Sequence, residues 1–150
     1  FERVNGTLVS TSAPEDFATL FYCVLESGGT LTYVNAGHNP PIVLRASGVV
    51  ETLSEGGTVL GMFPDQRYPY GRTDLGPGDY LVAYTDGLTE ALHEEEEFGV
   101  GRVIDTAGRI QGAPARIMAS VLVTEADSFA GPGTAVDDIT VVVARRLPAD

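Results

Sequence analysis

Apolar and polar positions alternate or cluster along the chain in a way that separates strands from helices. Residues 1–10 place Val4, Leu8 and Val9 at helical spacing and predict the end of a helix. From Asp16 to Glu26 the period is two: Phe17, Phe21, Cys23 and Leu25 share one face, and Ala18, Leu20, Tyr22 and Val24 share the other. Both faces are mostly apolar, which predicts a strand covered on both sides. Ser27-Gly28-Gly29 then signals a hairpin whose return strand is Leu31 to Asn35. Ile42 to Ala46 and Val49 to Leu53, joined at Ser47-Gly48, predict a second hairpin. The stretch from Ser54 to Pro69 is rich in glycine, proline and short polar residues and reads as a mobile flap. Arg67 to Leu75 is a further candidate strand, followed by the turn Gly76-Pro77-Gly78-Asp79 and a short buried strand, Tyr80 to Tyr84. Helices are expected near Leu88 to His93, from about Val100 to Arg109, and from Pro114 to about Phe129. In the last of these Ile117, Val121 and Leu122 form the apolar stripe and Pro114 suits the first turn. Gly131-Pro132-Gly133 ends that helix, and Ile139 to Arg145 is a last buried strand.

Strands arrive in hairpins and helices gather late, which excludes a repeating βαβ unit. The expected class is α+β, a mainly antiparallel pair of sheets with helices packed outside. The 150 residues are one domain's worth of chain and bury a core without staples. A single cysteine, Cys23, excludes an internal disulfide framework and a Cys-rich zinc site; inside its apolar run it reads as a buried thiol. The charge balance narrows the function. Nine basic residues, all arginine, stand against 21 acidic ones, a net −12. Such a field argues against nucleic-acid binding and against an anionic membrane surface. Excess carboxylate serves solubility, or it holds divalent cations. The chain begins with Phe1 rather than Met and shows no signal peptide, so it reads as a part of something longer.

Three segments carry candidate chemistry. In Tyr84-Thr85-Asp86-Gly87-Leu88-Thr89-Glu90 a buried strand runs into a turn and presents Asp86, with Glu90 four residues on. Converging carboxylates there suit Mg²⁺ or Mn²⁺, while the plainer reading is a turn with Asp86 as a helix cap. In Val136-Asp137-Asp138-Ile139-Thr140 two adjacent carboxylates enter a buried strand, where a cation relieves their repulsion unless both are simply solvated. In Asn35-Ala36-Gly37-His38-Asn39-Pro40-Pro41 a tight turn presents His38, as a metal ligand, a proton carrier, a substrate contact or a structural histidine bonded to backbone. The run Glu94 to Glu97 beside His93 reads as a solvated acidic loop, and Arg145-Arg146 is too short for a nucleic-acid patch. No nucleophile elbow and no phosphate-cradling glycine loop is visible.

Taken in order, Asn35–Pro41, Thr85–Glu90, Phe98-Gly99 and Asp137-Asp138-Ile139-Thr140-Val141-Val142 resemble the stage II sporulation protein E (SpoIIE) branch of the metal-dependent protein phosphatase 2C family. The resemblance covers nearly the whole chain as one domain, residues 1–150. It implies a four-layer αββα fold, an antiparallel β-sandwich flanked by helices. It also implies hydrolysis of phosphoserine or phosphothreonine at a two-metal Mn²⁺ or Mg²⁺ centre, water attacking phosphorus in line without a phosphoenzyme. That agrees with the missing nucleophile. By the same resemblance Asp86 and Asp137 are catalytic metal ligands. Glu90 and His38 match positions bordering a third, weaker metal, and Gly87 and Asp138 support the ligands from behind. The implied substrate is a phosphorylated anti-sigma factor antagonist in a cytoplasmic, bacterial signalling pathway, with a sensor or receiver domain upstream in the parent chain.

The family's first metal-binding motif, a glycine–aspartate strand pair, has no counterpart in this stretch, which is expected to begin past it. Weak metal binding and little activity follow as expectations for residues 1–150, and unpaired strand edges would favour a homodimer. Two other classes compete: a non-catalytic regulatory or binding module of the same fold, and an acidic Ca²⁺-binding module. The second is disfavoured because no EF-hand-like ligand spacing is present.

Overall fold

The computed structural model describes residues 1–13, 15–131 and 138–148. The chain divides into two compact units, residues 1–40 with 52–74 and residues 41–51 with 75–150. No helix among the described residues is long and apolar enough to cross a membrane.

The first unit opens with helix α1 (Glu2–Thr11), which sets Phe1 and Leu8 against a small core of Val34, Ala36, Leu60 and Tyr68. Asn5 is buried on this helix with both ends of its side-chain amide bonded: Nδ2 donates to the Phe63 carbonyl (2.9 Å) and Oδ1 accepts the Gly61 N–H (2.9 Å). Strand β1 (Leu20–Leu25) pairs antiparallel with β2 (Thr30–Ala36), Leu20 opposite Ala36 and Leu25 opposite Leu31. The predicted hairpin is therefore present, with the Gly29 N–H donating to the Glu26 carbonyl.

Two expectations need correction here. Strand β1 is not covered on both sides: Leu20, Tyr22, Val24 and Leu25 are between 40% and 54% exposed. The cause is its place at the edge of the sheet, where β2 is its partner. Helix α1 reaches the inner strand through Val34 and Ala36, and touches β1 through the Phe1 ring against Tyr22. Cys23 is accordingly half-buried rather than enclosed, and burial pushes its thiol above the ordinary value. The stretch 54–69 is not a loose flap. Within it β5 (Gly56–Gly57) runs parallel to Asn35–Ala36 of β2, and Leu60 is buried and exchanges backbone hydrogen bonds with Ala18. Strand β6 (Gly71–Asp74) completes the sheet on the same side of β2, Thr30 opposite Asp74.

The second unit is built on a four-stranded antiparallel sheet. Its order is β10 (Val141–Arg145), β7 (Tyr80–Tyr84), β3 (Ile42–Leu44), then β4 (Val50–Thr52), whose last residue belongs to the first unit. Tyr80, Val82 and Tyr84 alternate onto one face of β7. They pack with Ile42 and Leu44 against helices α3 (Gly99–Arg109) and α4 (Ala115–Ala130). Val103, Ala107, Met118, Leu122, Ala126 and Ala130 supply the helical side of this core. Pro114 caps α4 at its start and Gly131, with φ +79°, ends it, as the sequence predicts.

The helix expected near Leu88 to His93 is a correction. Only one turn forms, α2 (Asp86–Thr89), and a hairpin of β8 (Leu92–His93) and β9 (Glu96–Glu97) follows it. The hairpin lets Leu88, Ala91 and Phe98 all reach the core while Glu94–Glu97 stay in water, and the Phe98 N–H closes it onto the Ala91 carbonyl. The acidic run is solvated as expected, but as a hairpin tip with Glu94 at φ +57°, not as an open loop.

Candidate metal centre

The acidic end of the second unit is set by a strand-to-helix switch at Thr85. The β7–β10 register puts Val141 opposite Tyr84, and the ladder continues for one more step as the Thr85 N–H donates to the Thr140 carbonyl (3.0 Å). The return bond cannot be made in the same way. The Thr85 carbonyl has turned into α2, where it accepts the Leu88 N–H (3.1 Å). The side-chain hydroxyl takes its place: Thr85 Oγ1 accepts the Thr140 N–H (2.9 Å) and donates to the Asp138 carbonyl (3.1 Å).

Asp86 begins the helical turn with its carboxylate exposed. Its Oδ1 accepts the Gly87 N–H (3.0 Å), and its carbonyl accepts the Glu90 N–H (2.8 Å) and the Thr89 hydroxyl (3.1 Å). Gly87 and Leu88 are buried behind it. Glu90 ends the turn and is exposed, as is Asp138 on the facing segment. The expected helix cap is a correction: Thr85 stands at the cap position, Asp86 is the first residue of the turn, and its side chain reaches only the adjacent Gly87 N–H while its carboxylate is exposed. Asp137 lies outside the described residues.

His38 belongs to the first unit. Its loop is closed by Asn35, which is buried: Oδ1 accepts the His38 N–H (2.8 Å), and Nδ2 donates to the His38 carbonyl (2.9 Å) and more weakly to that of Leu53 (3.4 Å). Gly37 stands between them at φ +68°, where a Cβ would meet Val59 Cγ1 at 2.6 Å. The ring Nδ1 of His38 is 3.2 Å from the Thr19 hydroxyl, so the histidine is held by a side chain rather than by backbone.

Sequence reasoning passed over three polar residues that organise these regions. Thr85 and Asn35 lie inside the quoted motifs, but their partners are visible only in the fold. Asp79 reads as a turn residue, yet it is a buried hub that accepts the Ala46 N–H (2.8 Å), the Gly76 N–H (2.9 Å) and Arg45 (3.0 Å), with Arg45 also paired to Glu51. Burial works against the charge on Asp79. The two backbone donors and Arg45 outweigh it and hold the carboxyl below its usual range.

Among the described residues no group of three or more histidine, cysteine, aspartate or glutamate side chains converges tightly enough to hold a metal ion. The donor chemistry nevertheless fits a hard divalent cation. Asp86, Glu90 and Asp138 are carboxylates on a backbone that the Thr85 bonds hold in register. These carboxylates are the right kind of donor, but among the described residues they do not converge on one point.

Mainly antiparallel sheets, each with helix packed against it, match the architecture of protein phosphatase 2C-like structures. The fold aligns over 99% of this chain with the phosphatase domain of SpoIIE from Bacillus subtilis, at a TM-score of 0.72 and 17% identity. It also aligns over 96% of this chain with the catalytic domain of the serine/threonine phosphatase PstP in complex with two manganese ions, at a TM-score of 0.68 and 16% identity. PstP is a protein of Mycobacterium tuberculosis. The profile of the stage II sporulation protein E (SpoIIE) family matches residues 1–147, and the chain belongs to that family. Protein IcfG of Synechocystis sp. is 33% identical over 132 residues, 87% of this chain. The chain spans 21% of the length of IcfG, 66% of the SpoIIE phosphatase domain and 67% of the PstP domain.

Proposed function

We propose that this chain is the part of a metal-dependent protein serine/threonine phosphatase that carries the Asp86 and Asp137 motifs, acting on a phosphorylated protein. The observation that supports it most directly is the pairing of the two acidic segments: Asp86 opens the turn that follows β7, and the segment that begins at Asp138 is bonded to Thr85, the residue just before it. Asp86 holds Mn²⁺ or Mg²⁺, with Asp137 as the second ligand of this stretch by the family motif. Gly87 and Asp138 shape the turn and its partner, and by the family motif Glu90 and His38 match positions that border a third, weaker ion in relatives. The manganese in the PstP structure is consistent with that choice of cation.

When bound, the cations activate water and neutralise phosphoryl oxygens. The chain's own contribution is to hold carboxylates at a fixed strand end and to keep the turn beneath them dry with Gly87 and Leu88. By the family motif a further bridging ligand comes from a glycine–aspartate strand pair that has no counterpart in residues 1–150. The substrate is a phosphoserine or phosphothreonine protein of the anti-sigma factor antagonist type, in the cytoplasm, under control of a sensor or receiver domain of the parent.

The test is Mn²⁺-dependent release of phosphate from a phosphoserine protein, with residues 1–150 alone and within the longer parent protein. Little turnover by the first, clear turnover by the second, and loss of it in Asp86→Asn is the expected pattern. A parent protein that binds the phosphoprotein but releases no phosphate would instead make this a regulatory module.

A further inference from the structure

We propose that Thr85 is a positioning residue for the metal centre, setting where Asp86 stands relative to the Asp138–Thr140 segment; the inference rests on the metal-binding reading above. Three bonds join this residue to the facing strand, one from its backbone N–H and two through its hydroxyl. The hydroxyl bonds exist because the Thr85 carbonyl is committed to the Leu88 N–H. Without them the Thr140 N–H and the Asp138 carbonyl would have no replacement from Thr85, whose carbonyl already points into α2. From Thr85 the strand entry would then keep only the backbone N–H bond to the Thr140 carbonyl, one tie in place of three.

A side chain here must both accept and donate one bond, which serine also does and valine does not. Groups that orient metal ligands without touching the metal change its affinity by about 10–100-fold when removed. Thr85→Val matches threonine in shape and removes only the hydroxyl. Its expected effect is therefore on affinity for the ion, beyond any general loss of stability.

The experiment is titration of the chain with Mn²⁺ chloride by calorimetry, for the native sequence, Thr85→Val, Thr85→Ser and Asp86→Asn. A fifth protein, Tyr80→Phe, is the stability control. It removes a hydroxyl at the far end of β7 that donates to the Ala113 carbonyl (2.6 Å) and accepts the Gly112 N–H (3.0 Å). The expected result is a roughly tenfold loss of Mn²⁺ affinity in Thr85→Val. Thr85→Ser stays close to native, and Tyr80→Phe binds Mn²⁺ normally despite a lowered melting temperature. Equal affinity of native and Thr85→Val, with Asp86→Asn impaired, overturns the role of Thr85 and leaves the metal site standing. Binding unaffected by Asp86→Asn, or no binding by the native chain, overturns the metal-centre reading and this inference with it.

Discussion

The side chain of Asn35 closes on both ends of one residue: its Oδ1 accepts the His38 N–H at 2.8 Å and its Nδ2 donates to the His38 carbonyl at 2.9 Å. A four-residue loop is thereby locked around a side chain that is only 4% exposed. Asn35→Ala should lower stability by about 1–3 kcal/mol, since buried backbone groups lose their partners. Thermal unfolding measures the loss. The His38 ring should also become more mobile, visible as broadening of its imidazole resonances.

Gly56 adds close approach to a positive φ (+153°), whereas Gly48 has the positive φ alone. A Cβ at Gly56 would sit 1.8 Å from the Asn35 carbonyl oxygen, against main chain that cannot retreat without breaking the β2–β5 pairing. Gly48 has φ +86° but open space around it. Gly48→Ala should therefore cost about 1–2 kcal/mol, the conformational penalty alone. Gly56→Ala should cost about 4 kcal/mol or more, at the far end of single-substitution effects. Denaturant midpoints of the two variants check the order, and equal losses would contradict the packing described here.

The Asp79 hub makes a pH prediction. Its carboxyl is held below the ordinary value in the folded state, so its contribution to stability is present above the unfolded carboxylate range, about pH 3.9. It is lost as the pH falls through the lower, folded value. Melting temperature should drop steeply as the pH goes below about 4. Asp79→Asn should be less stable at pH 7 by about 3 kcal/mol, because the charge facing Arg45 is lost and one of the two accepting oxygens becomes an N–H₂ set against a donor. Its melting temperature should respond less to acid than that of the native chain.

Much of this architecture was legible because burial and periodicity coincide. Tyr80–Tyr84 is apolar and short between turn signals, and 115–130 is flanked by Pro114 and Gly131, so both elements are found where the pattern puts them. Leu88, Ala91 and Leu92 carry helical spacing too, but there the pattern misleads. Leu88 and Ala91 enter the core while Leu92 is 42% exposed on a hairpin. Strand β1 has the right alternation and the wrong environment, since nothing in Leu20–Leu25 tells an edge from a centre. At the site, the carboxylates stood out by type and place. Thr85 did not, because the value of its hydroxyl depends on a carbonyl turned away and on a strand 55 residues along the chain.

Calorimetric titration of this chain with Mn²⁺, beside Asp86→Asn and Asp137→Asn, tests the central claim most directly. The account predicts weak binding by the native chain that each substitution abolishes, because both aspartates are proposed ligands of one ion. Binding that persists in both variants would contradict it, and would move the ion to some other acidic surface of a chain with net charge −12.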